Sequence, residues 1–195
     1  MEGDNMRESL YDFCIHYDQN ELLLQWNQKK NEDLTPKQIS YGSHQKVWWK
    51  CEKGHSWQST IAHRTSMGSN CPYCSNRKLL KGYNDFLTTN KDERLAGEWD
   101  HELNEKDGIF PDSLMEGSNK KVWWRCKNNH VWKTTIYERK RGRACPICSN
   151  HTIQVGYNDL FTTNPHLAKE WNYEKNAPLM PYMFSQGSDK KVWWR

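Results

Sequence analysis

Hydrophobic positions along the chain repeat in the same order three times. Pairs of apolar residues four positions apart mark one face of a helix: Leu22 with Trp26, Leu95 with Trp99, and Leu167 with Trp171. Two helix starts are predicted before the later pairs. Asn90 followed by Glu93 resembles a capping box, and Asn164-Pro165 is typical of an N-cap with proline at the first helical position.

Downstream of the first helix, apolar and polar residues alternate with the period of a β-strand. Residues 46–51 and 56–61 are predicted as two strands joined by a tight turn at residues 52–54. The alternation places Val47, Trp49 and Cys51 on the inner face and Trp48 on the outer face. Trp124 is predicted to be buried and Trp123 to lie outside by the same argument. For the outer tryptophans, packing against a helix and stacking on a base both stay open.

Short motifs define the length of the repeat. KVWWKCEKGHSW begins at Lys46, KKVWWRCKNNHVW at Lys120 and KKVWWR at Lys190, while CPYCSN and CPICSN follow the first two. A unit of about 73 residues is therefore used twice and started again. The predicted domains are residues 1–78 and 79–150, two complete units, and residues 151–195, an incomplete unit without metal ligands. The recurring GYND motif is predicted to be a turn, because it lacks the glycine spacing of a phosphate loop.

The composition indicates that burial of aliphatic side chains alone does not stabilise such a unit. Only 35% of the 195 residues are hydrophobic, yet the chain contains 11 Trp and 7 Cys, and its mean hydropathy is −1.07. One large aliphatic core is excluded. No segment approaches the roughly 18 apolar residues of a membrane span, and the polar N-terminus has no signal-peptide core. We therefore expect a cytoplasmic protein with reduced thiols and no membrane partner, where clustered cysteines favour metal over disulfides.

Six of the cysteines and two histidines form two sets with nearly the same spacing. The sets are Cys51, His55, Cys71 and Cys74, and Cys126, His130, Cys145 and Cys148. Four such ligands in two close pairs predict one tetrahedral structural zinc ion per set, hence two zinc ions. A redox CxxC or disulfides are the alternative, but a thioredoxin-type motif requires a βαβ context that is missing. Cys14 is predicted to be a small buried hydrophobic residue.

The combination GYNDL-TTNP-LA-EW, GS-KKVWW-C--GH-W and R----CP-C resembles the bacterial and phage probable zinc-ribbon family, also described as a treble-clef zinc-finger domain. The resemblance implies small α+β zinc-stabilised modules, each a β-hairpin plus a short helix, in tandem: two complete and one truncated. It assigns the zinc ligands to the eight residues above. Lys91 in place of proline, Asn129 in place of glycine and the truncated third copy depart from the family pattern.

Charge alternates along the chain and suggests the partner. Residues 44–81 and 119–143 are strongly basic, whereas residues 1–34 and 82–112 are acidic. Basic segments beside aromatics favour nucleic acid, although a basic strand could instead pair with the acidic helix of the next unit. The predicted nucleic-acid contacts are Lys46, Trp48, Lys50, Lys53, Arg64, Arg77, Lys120, Lys121, Trp123, Arg125, Lys127, Lys133, Arg139, Lys140, Arg141 and Arg143.

Three functions follow from these features. The favoured one is a non-catalytic zinc module that binds DNA or RNA, with no small-molecule substrate. A protein-interaction scaffold is the second. The third, which the family resemblance suggests, is the targeting arm of a Vsr-like or homing-type endonuclease whose catalytic domain is absent here. His44, His63 and His101 would be the nuclease candidates, but no paired carboxylates accompany them and no catalytic residue is predicted.

Overall fold

The computed structural model describes residues 8–195, and these divide between Leu80 and Lys81 into two compact units. The predicted domain boundaries after residues 78 and 150 stay predictions. The polar N-terminus, for which no signal-peptide core is predicted, includes residues 1–7, which lie outside the described residues. Within the described part, no helix is long and apolar enough to cross a membrane.

The first unit contains short helices around one antiparallel hairpin. Its helices are α1 (Leu10–His16), α2 (Asn20–Leu24), α3 (Gln28–Asn31) and α4 (Ile61–Met67), and its strands are β1 (Lys46–Lys50) and β2 (Ser56–Thr60). The predicted strands were one residue longer at each C-terminal end. Trp49 lies opposite Trp57 in the β1–β2 register, so alternate residues of both strands face the same core, as the sequence pattern predicts.

The second unit repeats this arrangement and then begins it a third time. Its helices are α5 (Phe86–Thr89), α6 (Glu93–Glu98), α7 (His101–Lys106), α8 (Ile136–Lys140), α9 (Leu160–Thr163), α10 (Pro165–Lys169) and α11 (Tyr173–Asn176). Its strands are β3 (Lys121–Arg125) and β4 (Val131–Thr135), with Trp124 opposite Trp132. Single 3-10 turns lie at Pro111–Ser113 and Pro181–Met183. The prediction of small α+β modules, each with a hairpin and short helices, is confirmed.

The core of each repeat contains two tryptophans that pack edge to face. Trp26 and Trp49 meet in a T-shaped arrangement with ring centroids 5.7 Å apart, and Trp99 and Trp124 do so at 5.6 Å. Trp49 and Trp124 are fully buried. Such large rings bury much apolar area per residue, which is how a chain poor in aliphatic residues fills its cores. Cys14 is also fully buried, as predicted.

The two predicted helix starts differ in outcome. Helix α6 is capped by Asp92, whose carboxylate accepts the Arg94 and Leu95 amides, so the predicted capping box with Asn90 is wrong. Asp92 stands directly before the helix and can reach two amides that would otherwise lack partners. Asn164 does precede a helix with Pro165 at its first position, but its side chain makes no capping bond.

The GYND motif forms a turn that starts helix α5. The Asp85 carboxylate accepts the Thr88 amide at 2.8 Å and the Gly82 amide at 2.5 Å, and Gly82 has a φ of +75° that suits glycine. Burial alone would raise the pKa of Asp85, but these hydrogen bonds hold it below its usual value. The motif is therefore built as a helix cap, in agreement with the turn prediction.

Candidate metal centres

Each ligand set is assembled by the hairpin and the turn that follows its helix. In the first unit, Cys51 follows β1 and His55 precedes β2, so both lie at the hairpin tip. Cys71 and Cys74 lie in the turn after α4. Gly54 has a φ of +84° and donates its amide to the Cys51 carbonyl at 2.8 Å, which tightens the tip.

The second tip shows why a departure from the family pattern is tolerated. Asn129 occupies the position of Gly54, adopts a φ of +61°, and donates its amide to the Cys126 carbonyl at 2.8 Å. Asparagine enters the left-handed region more easily than most other residues. The loss of glycine therefore leaves the turn unchanged.

In the first centre, the four ligand atoms form a small tetrahedron. The sulfurs of Cys51 and Cys74 are 3.8 Å apart. The Nδ1 atom of His55 lies 3.5 Å from the Cys51 sulfur, 3.3 Å from the Cys74 sulfur and 3.7 Å from the Cys71 sulfur.

The second centre has nearly the same dimensions. Its Cys126 and Cys148 sulfurs are 3.8 Å apart. The Nδ1 atom of His130 lies 3.5 Å from Cys126, 3.2 Å from Cys148 and 3.6 Å from Cys145. In each centre all four ligand atoms lie within 4.8 Å of one another.

These distances fit zinc. Zinc–sulfur bonds of about 2.3 Å and zinc–nitrogen bonds of about 2.0–2.1 Å in a tetrahedron require edges of about 3.8 Å between sulfurs and about 3.5 Å between sulfur and nitrogen. Three thiolates and one imidazole are the donor set of structural zinc sites. The prediction of two structural zinc ions is confirmed.

Burial makes the thiolates costly without a cation. It raises the pKa of Cys71 and of Cys145 to about 11, because a buried thiolate loses its hydration. A divalent ion offsets that cost since it binds the deprotonated thiols. Metal binding and folding of each module are therefore linked. All four tetrahedral positions are filled by protein atoms, which leaves no position for a reactive water.

Two of the predicted nucleic-acid contacts lie inside the protein. Arg64 and Arg139 are only 2% and 0% exposed. The Arg64 guanidinium lies 4.7 Å from the Trp49 ring, and that of Arg139 lies 5.2 Å from the Trp124 ring. Burial lowers the pKa of both arginines to about 10. Neither side chain can reach a phosphate, so both are removed from the predicted surface and assigned to the core.

Several other predicted cations are paired with carboxylates of the second unit. Arg125 lies 2.7 Å from Asp100 and Lys133 lies 2.9 Å from Asp107. Two closer pairs join Lys140 to Glu116 and Arg143 to Glu138. Arg125 of β3 and Lys133 of β4 therefore pair with the two carboxylates that flank helix α7 in their own repeat.

The remaining predicted contacts are exposed or half-buried at the surface. Trp48 and Trp123 are half-buried. Arg77 donates to the Asn70 carbonyl, and Arg141 donates to the Tyr137 hydroxyl. The other exposed members of the predicted set are Lys46, Lys50, Lys53, Lys120, Lys121 and Lys127.

In each repeat, an asparagine side chain is hydrogen-bonded to the backbone of the first tryptophan of the VWW motif. Sequence reasoning did not predict this contact. The Asn104 side chain accepts the Trp123 amide and donates to the Trp123 carbonyl, each at 2.8 Å. Asn31 does the same with Trp48, and Asn176 with Trp193. The available signal was an asparagine five residues after the helix tryptophan in every copy. In the two complete repeats, these hydrogen bonds position the hairpin that carries the first two metal ligands.

The hairpins, short helices and Cys3His centres define a tandem zinc-finger protein. The chain belongs to the family described as a probable treble clef zinc finger domain, whose model matches residues 22–77, 95–151 and 167–195. No curated protein matches the chain significantly in sequence. The family resemblance seen in the sequence is thereby confirmed.

Proposed function

We propose that the chain is a non-catalytic nucleic-acid-binding protein, and that the outer face of the first hairpin is its main contact. We define this outer face as Lys46, Trp48 and Lys50 of β1 together with Lys30 of the adjoining helix α3. The filled tetrahedron at each metal centre supports a structural role for the metal, not a reactive one.

The arrangement of charge carries this proposal. Lys46 and Lys50 are exposed on β1, and among the described residues no carboxylate lies within 4.0 Å of either ammonium. The Lys30 ammonium lies 4.0 Å above the Trp48 ring. The face therefore presents three lysines and one aromatic ring, and among the described residues none of these lysines forms a salt bridge. Lysines so placed can neutralise phosphates and release the counterions bound to them.

Salt dependence of binding tests the proposal. Affinity for labelled single-stranded DNA, duplex DNA and RNA would be measured by fluorescence anisotropy at several salt concentrations. Lys46→Ala/Lys50→Ala should lower the slope of log K against log salt by about 1.4–1.8, since each phosphate contact contributes about 0.7–0.9. Lys29→Ala/Lys37→Ala removes the same charge from elsewhere in the first unit and should change the slope much less.

Two results would contradict the proposal. Absence of binding to all three nucleic acids at low salt would exclude the function itself. Equal losses in the two double variants would exclude the outer face as the contact. Capture of a protein partner that is insensitive to salt would favour the scaffold function instead.

A further inference from the structure

The GYND turn of the third repeat lies directly on the second metal centre, within the unit Lys81–Arg195. The Tyr157 ring meets the His130 ring edge to face, with centroids 4.2 Å apart. The Asn128 side-chain amide donates to the Tyr157 hydroxyl oxygen at 3.0 Å and to the Cys148 sulfur at 3.4 Å. Tyr157 therefore touches one metal ligand and is linked through Asn128 to another.

The next residue of the motif is bonded to the turn that carries the last two ligands. The Asn158 amide donates to the Ile147 and Thr152 carbonyls, each at 2.9 Å, while its side-chain oxygen accepts the Gln154 amide at 2.7 Å. Asn158 is only 6% exposed. Because Ile147 lies between Cys145 and Cys148, the first of these bonds ties the motif directly to the turn that carries the two ligands.

We infer that the second zinc centre extends into the third repeat: Tyr157 and Asn128 position its ligands, and zinc binding and docking of the GYND turn stabilise each other. Residues that hydrogen-bond or pack on metal ligands orient them and raise metal affinity. A metal that fixes His130 and Cys148 in turn prepares the surface on which Tyr157 packs. Such coupling acts equally in both directions. This inference does not depend on nucleic-acid binding.

The coupling predicts that a substitution in the third repeat weakens metal binding in the second. The zinc-loaded chain would be titrated with a chelator, and alkylation of each cysteine would be followed by mass spectrometry. In Tyr157→Ala, Cys145 and Cys148 should become modified at a chelator activity about 10–100-fold lower than in the unsubstituted chain. Cys71 and Cys74 of the first centre should respond as before and report that the first unit is intact.

Three further variants separate the contacts. Tyr157→Phe keeps the ring on His130 and loses the hydroxyl, so its effect should be smaller than that of Tyr157→Ala. Asn128→Ala removes the donor to both Cys148 and the Tyr157 hydroxyl without substituting a residue of the third repeat, and should also weaken the second centre. Tyr137→Phe is the matched control, because Tyr137 is exposed and its hydroxyl accepts a hydrogen bond from Arg141.

Hydrogen exchange gives the reverse measurement. Amides of residues 156–164 should lose protection at the chelator activity that exposes Cys148. Protection that persists after Cys148 is alkylated would overturn the inference. So would chelator titrations of Tyr157→Ala and Asn128→Ala that both stay within twofold of the unsubstituted chain.

Discussion

The two complete modules have the same fold, but their buried arginines have different partners. In the first, Arg64 donates to the neutral Gln25 side chain at 2.6 Å. In the second, Arg139 forms an ion pair with Glu98, at the position equivalent to Gln25. Both arginines pack on the tryptophans of their hairpins. Both modules therefore place a planar guanidinium at this position, while the charge of its partner differs.

The outer faces of the two hairpins also differ in that only the second contacts a carboxylate at the position of Asp107. In the second module, the Asp107 carboxylate accepts the Trp123 indole N–H at 3.1 Å and pairs with Lys133. Leu34 and Gln58 occupy the equivalent positions of the first module. The second module thus has a carboxylate bonded to its outer tryptophan at a position where the first module has leucine. Equal folds can therefore carry unequal surfaces, and a repeat cannot be assigned a role from its net charge alone.

Loss of one metal centre is expected to have the largest effect and to unfold one module while the other stays folded. Cys148→Ser should reduce the zinc content from two ions to one per chain and unfold the β3–β4 hairpin, while β1–β2 persists. Structural zinc contributes about 10–16 kcal/mol in finger peptides, far more than a core this small provides. Metal analysis and hydrogen exchange would check both statements. Cys14→Ala should retain both ions, and loss of both ions in Cys148→Ser would contradict the independence of the centres.

Removal of the buried arginines should have the next largest effect and should distinguish their partners. Arg139→Ala leaves Glu98 without its partner and should cost about 3–5 kcal/mol. Arg64→Ala leaves a neutral amide and should cost about 1–3 kcal/mol. Hydrogen exchange of the two hairpins in the zinc-loaded chain measures each change, and exposed Arg141→Ala is the control. Equal costs would show that ring packing, and not the ion pair, dominates.

The smallest expected effect is on binding by the second hairpin. Hydrogen bonds from Lys133 and Trp123 hold the pKa of Asp107 below its usual value, so it is ionised at neutral pH. In the Lys46→Ala/Lys50→Ala background, Asp107→Asn should restore part of the DNA affinity by a few-fold, because it leaves Lys133 without a counter-charge. Anisotropy measures the gain. An unchanged affinity would show that the second hairpin does not contact nucleic acid.

The metal centres and the inner tryptophans followed from the sequence because their determinants are local. A CxxC pair, a Cys-x3-His pair and strand alternation each act over a few residues, and the repeat presented each pattern twice. The prediction of a capping box at Asn90 for helix α6 was wrong for an equally local reason. Asp92 and Asn90 both suit a cap, and position relative to the first turn decided between them.

The surface depended instead on contacts between distant positions. Arg139 and Arg141 are two residues apart in a basic run, yet one is fully buried on tryptophan and the other is exposed. Tyr157 opens the third repeat in sequence but packs on a ligand of the second. Residue type and spacing specify which atoms can bind a metal. Only the docking of helices on hairpins decides which cations lose their water, because desolvation depends on neighbours that lie tens of residues away.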